Sequence, residues 1–115
     1  MIIAITSDGN NLHSRVAEKF TTAQFIIFYN KDIEKFEAFR NPHSAVFGGA
    51  GIQTAQLIIE NNATAVIACD IGLNAFRMLQ SANVKIYPCQ QSSVIEAIND
   101  FASGKISELK RESKE

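Results

Sequence analysis

The chain has 115 residues, 46% of them hydrophobic and 20% charged, with 11 Lys and Arg against 12 Asp and Glu and a formal net charge of -1. High apolar content at low net charge excludes a mostly disordered polypeptide, and the near-balance of charges excludes a basic coat for gripping nucleic acid. Two cysteines are too few for a disulfide scaffold, and the length suits one domain with a core of its own.

The opening Met1-Ile2-Ile3-Ala4-Ile5-Thr6-Ser7-Asp8 lacks the basic lead of a secretory signal, and its apolar run is short. No stretch approaches the ~20 apolar residues of a membrane span. The expectation is therefore a soluble cytoplasmic protein without nucleic-acid or membrane partners. Ile2 to Ile5 predicts a buried strand, halted by the turn cluster Ser7-Asp8-Gly9-Asn10-Asn11. Ser14 to Phe20 predicts a short helix capped by Ser14. Ala23 to Tyr29, rich in β-branched and aromatic residues, predicts a strand. After the polar break Asn30-Lys31-Asp32, the alternating Ile33 to Phe39 predicts its antiparallel hairpin partner at a sheet edge.

The longest irregular stretch runs from Asn41 to Gly51 and holds Gly48, Gly49 and Gly51. Helical spacing follows over Ile52 to Asn61, then a buried strand, Ala63 to Cys69. Asp70-Ile71-Gly72 is a turn into a second helix that ends near Asn83. Val84 to Tyr87 is a short strand cut by Pro88. Ser92-Ser93 caps a third helix closed by Gly104. The last eleven residues, 105–115, form a charged tail after a single domain over 1–104, with fraying expected beyond Leu109. Strand and helix alternate in the second half, which demands parallel strands, and the hairpin adds antiparallel ones. The fold expected is three-layer α/β around a mixed five-stranded sheet.

In open α/β sheets, ligands sit outside the carboxyl ends of parallel strands. Here those ends carry Thr6-Ser7-Asp8, Cys69-Asp70 and Pro88-Cys89, and the glycine loop opens a helix beside them. Glycines permit close backbone approach, and a helix N-terminus favours an anion. The loop is neither a Walker A sequence nor a dinucleotide fingerprint. A flexible crossover loop is the plainer reading of equal weight. Thiolates suit iron–sulfur species and soft metals. Cys69 reads first as strand core, and Cys89, beyond its strand, as the better exposed thiol. His43 lies on the irregular loop, where a neutral imidazole can bind iron or simply be solvated. His13 reads as surface. Asp8 and Asp70 could bracket Mg²⁺, but acidic residues at strand ends are more often turn formers.

Several segments, in order, resemble one family. They are IAITSDG with Val16 and Phe20 downstream, AQFIIFY, NPH followed by GGAGIQTAQLI, AVIACDIGLNAFRML, and VKIYP with a helix ending in FASGK. Over about residues 1–104 the chain resembles the dinitrogenase iron–molybdenum cofactor biosynthesis family, the small stand-alone relatives of nitrogenase cofactor carriers. Phe20-Thr21 stands where that family often has Phe-Gly, and Leu73 where Pro is frequent. The resemblance implies a ribonuclease-H-like fold. It also implies a non-enzymatic protein that binds an iron–sulfur cluster or iron–molybdenum cofactor precursor and passes it to a metallocluster assembly or scaffold protein. Carried onto this chain, the cofactor-binding positions are His43, Gly48, Gly49, Gly51, Gly72 and Asn74. The metal-ligand expectations are His43 and, from its own position, Cys89. The alternative is a small-anion or nucleotide-binding regulatory module using the same loop without a thiol. A bare interaction domain forming a homo-oligomer through the edge strand Ile33–Phe39 is a third.

Overall fold

A computed structural model describes residues 1–43 and 50–110. The apolar run at the N-terminus forms the central strand, β1 (Ile2–Ser7). β1 has neighbours on both sides and helices on both faces, which is why its sequence reads as continuous rather than alternating. The five-stranded sheet is ordered β3-β2-β1-β4-β5. β2 (Phe25–Asn30) lies antiparallel to β1, with Ile2 opposite Asn30 and Ser7 opposite Phe25. β3 (Lys35–Arg40) returns antiparallel along β2 as the edge strand. The hairpin corner turns where Glu34 adopts φ 55° and Asn30 Oδ1 accepts the Asp32 N–H at 3.0 Å.

On the other side of β1, β4 (Ala65–Ala68) and β5 (Lys85–Pro88) run parallel to it, with Ile3 opposite Ala65 and Ala65 opposite Lys85. The carboxyl ends of β1, β4 and β5 therefore share one rim, as the alternation of elements required. The intervening helices are α1 (Ala50–Glu60) and α2 (Leu73–Ser81), and α3 (Val94–Ala102) follows β5. Their ends sit at the polar residues read from sequence. Asn62 and Asn83 take the left-handed conformation at φ 65° and 62°, and Gly104, which closes α3, sits at φ 79°.

Side-chain parity along the strands sorts the core into two layers. Ala4, Phe28, Val66 and Ile86 meet Ala55 and Ile58 of α1 and Phe76 and Leu79 of α2. Ile3, Ile5, Ile27 and Ile67 meet Val94, Ala97 and Ile98 of α3. The sheet is thus sandwiched, and the three-layer mixed α/β expectation is met. Among the described residues no helix is long and apolar enough to cross a membrane.

One predicted element is corrected. Ser14–Phe20 is not a helix; the helical turn there is a short 3-10 segment at Phe20–Thr22. Its backbone bonds go elsewhere. Val16 N–H donates to Ser92 O at 2.8 Å, Ala17 N–H to Thr6 O at 2.9 Å, and Ser14 O accepts from Val94 N–H at 2.8 Å. Seven residues offer too little cooperative gain to nucleate a helix. Val16 and Phe20, both fully buried, are held instead by opposite layers of the core.

Residues 105–110 follow β5. Leu109 N–H donates to Ile86 O at 2.7 Å, and Ile106 packs on the α3 side.

Candidate ligand-binding site

The rim is built from the corners where the parallel strands hand over to helices. The backbones of Lys19 and Asp70 pair in a lone parallel β-bridge, and Phe20 N–H donates to Asp70 O at 2.8 Å, which ties the 3-10 segment over the corner between β4 and α2. Thr21 of that segment meets the first turn of α1. A Cβ on Gly51 would stand 3.2 Å from Thr21 Cγ2 and 3.5 Å from Ala75 Cβ. The bare glycine therefore lets three elements close together: the 3-10 segment, the start of α1 and the start of α2. Gly51 and the first turn of α2 share this corner. Gly48 and Gly49 lie outside the described residues.

The start of α2 is exposed. Gly72 is its N-cap residue and supplies no side-chain acceptor, and the first turn carries no acidic residue. Leu73 and Asn74 stand in solvent beside it, Leu73 45% exposed. The first turn of α1 likewise has no acidic residue, and Ile52 is 37% exposed. Two helix N-termini with their partial positive charge thus lie side by side, bordered by Ile52 and Leu73. Thr6, on the α1/α2 face by its parity with Ala4, is wholly buried, and its Oγ1 has no hydrogen-bond partner among the described residues.

His43 goes to a different flank. Its N–H donates to Asn41 Oδ1 at 3.1 Å, and it borders a hollow of about 290 Å³ with Gln53, Gln56, Leu57 and Glu60 of α1. That hollow includes neither Gly51 nor Gly72. Asn41 is the residue that sequence reasoning passed over. It is 2% exposed, and its Nδ2 donates to Ala23 O at 2.9 Å and Thr54 Oγ1 at 3.1 Å. It pins the end of β3 to β2 and α1 and so sets where His43 begins. The available signal was the polar Asn-Pro step directly after a strand.

Cys89 lies against the opposite layer. Both cysteines pack on the α3-side core and both are half-buried, so neither the expected core thiol at Cys69 nor the expected exposed one at Cys89 is found. Residues just past two neighbouring strand ends share one environment, and that is the physical reason. Burial raises both thiol pKa values, Cys89 to about 12, and the neighbouring Cys69 adds to the rise at Cys89. His13 is exposed. Among the described residues no group of three or more His, Cys, Asp or Glu is placed to hold a metal ion.

Fold and rim together define a small three-layer α/β domain that offers backbone donors, rather than a ligand cluster, at the carboxyl ends of its parallel strands. The chain belongs to the dinitrogenase iron-molybdenum cofactor family, which it matches over residues 1–104. It is 29% identical over 108 residues to an uncharacterized protein, MJ0580, of Methanocaldococcus jannaschii, covering 92% of this chain and 89% of that one. Among solved structures, a NifB-like protein from Thermotoga superposes with a TM-score of 0.85 at 32% identity, over 99% of this chain and 97% of its own. The apo form of the orange protein from Desulfovibrio gigas gives a TM-score of 0.90 at 25% identity, over 94% and 92%.

Proposed function

We propose that the chain is a non-enzymatic carrier whose cargo is an anionic iron–sulfur metallocluster of the iron–molybdenum-cofactor precursor type, received from and passed to an assembly or scaffold protein. The observation that carries this reading is the pair of adjacent helix N-termini at Gly51 and Gly72, free of acidic residues in their first turns. Each such terminus carries roughly half a positive charge and unsatisfied N–H groups, and an anion there gains about 0.3–1 kcal/mol per terminus, more when partly buried. Asn74 adds a side-chain amide beside them. The family's description and the apo form of one structural relative support a small cofactor-associated protein.

The donor set fits transient holding. Without a cluster of thiolates or imidazoles among the described residues, cargo is retained by charge and hydrogen bonds and released without breaking several metal–ligand bonds. His43, on another flank, and Cys89, across the sheet, take no part in this cradle.

Oxygen-free reconstitution with iron and sulfide, followed by visible absorption and EPR, tests the reading. Cluster signals are expected in the wild type, weakened in Gly72→Asp and unaffected by His43→Ala or Cys89→Ser; no uptake by the wild type overturns it. The same N-termini suit a phosphate group, so a nucleotide panel without iron separates the regulatory-module alternative. A ligand at 100 times its Kd stabilises by about 2.7 kcal/mol, which thermal unfolding resolves.

A further inference from the structure

We propose that Cys69 and Cys89 form a two-sulfur site for a single soft monovalent cation of the Cu(I) type, separate from the helix N-termini. β4 and β5 are parallel with Ala68 opposite Pro88, so the next rung sets Cys69 opposite Cys89. The ladder continues that far, because Cys89 N–H donates to Ala68 O at 3.0 Å. Strand alternation turns both side chains to the α3 face, where both pack on the same core cluster and stay half-buried. Cys89 also lines a hollow of about 520 Å³ between Pro88–Ser92 and Asp100–Ser107, which gives an ion a route in.

Three features select the occupant. First, carboxylates stand near the pair: Asp8 and Glu18 by Cys69, with Arg15 opposing, and Asp100 by Cys89, with Lys105 on the wall of the same hollow. Second, no third His, Cys, Asp or Glu joins the pair among the described residues, which excludes a tetrahedral zinc site. A pair of soft sulfurs suits Cu(I). Third, both cysteines are free thiols, and burial, which keeps them protonated, makes them poor nucleophiles for disulfide exchange.

Binding replaces protons without redox change. Two S–H bonds break, two S–Cu bonds form, two protons leave to solvent, and the copper stays Cu(I). Titration of the reduced full chain with Cu(I), against a chromophoric Cu(I) chelator under nitrogen, tests the site. One ion per chain, two protons released and a sulfur-to-copper band in the ultraviolet are expected. Cys69→Ser and Cys89→Ser should each lose roughly 100-fold or more in affinity, while His43→Ala retains it. Copper-edge X-ray absorption on the wild type should show two sulfur neighbours, a readout that needs no variant to fold. A wild type that does not compete for Cu(I), a Ser variant that keeps it, or a first shell richer than two sulfurs overturns the proposal. Because the iron–sulfide reconstitution uses neither cysteine, either reading can fail alone.

Discussion

α2 and α3 are both nine residues long, both follow a parallel strand, and both begin near the same rim, yet their first turns are finished in opposite ways. At α3, Ser93 and Glu96 close a full capping box: Ser93 Oγ accepts the Glu96 N–H at 3.2 Å, and Glu96 Oε1 accepts the Ser93 N–H at 3.1 Å. That helix brings its own anion. At α2, Gly72 caps nothing and no carboxylate follows. Among the described residues the chain thus satisfies one helix N-terminus internally and leaves the other without a side-chain cap. Orphan N–H groups on an exposed corner signify little alone; beside a second helix start at Gly51, they are where the proposed cargo would sit.

The largest effect is expected where the first turns of α1 and α2 touch. Gly51→Leu forces Thr21 and Ala75 apart and should destabilise the fold by about 1–3 kcal/mol, measured by urea unfolding, with cluster uptake lost alongside. Gly72→Asp sharpens the contrast itself, since it gives α2 the self-cap that α3 has. Space around Gly72 is open, so stability should rise by a few tenths of a kcal/mol while anion uptake falls roughly tenfold, ~1.4 kcal/mol. Stability and binding moving together would break the comparison. Conversely, Ser93→Ala opens α3 and should cost about 1 kcal/mol, visible as a lower midpoint in thermal melts, with cluster uptake unchanged.

The smallest effect is in pH. Hydrogen bonds from the Ser93 backbone and hydroxyl hold the Glu96 carboxyl below its ordinary range. A carboxyl whose folded pKa is depressed contributes stability above its unfolded pKa and loses that contribution as pH falls through the folded value. Acid titration should therefore loosen the first turn of α3 below the usual Glu range. Amide exchange at Glu96 should rise there in the wild type, and already be fast at neutral pH in Ser93→Ala.

Much of this was legible in the residues. Ser93 with Glu96 three positions on, and Gly104 at a left-handed stop, are local chemistry that tertiary context did not override. The hairpin and the strand–helix alternation were equally readable because hydrophobic period changes at each boundary. Ser14–Phe20 misled because apolar spacing cannot say whether a segment bonds to itself or to neighbours; Val16 and Ala17 bond to Ser92 and Thr6. The site was legible only as segments. Gly51 and Gly72 meet through a side chain, Ala75, and a 3-10 turn that no motif marks, whereas His43 is drawn to another flank by the buried Asn41. Which residues share a flank depends on contacts far apart in sequence.

The sheet's two borders are unequal as well. Along β5, Leu109 takes up the Ile86 carbonyl, whereas β3 faces solvent with Phe36 and Phe39 partly exposed and, in the turn before it, Ile33 60% exposed. The β3 border is the more open of the two and offers its backbone to another strand, so two copies meeting there through a two-fold axis would each cover the other's exposed edge.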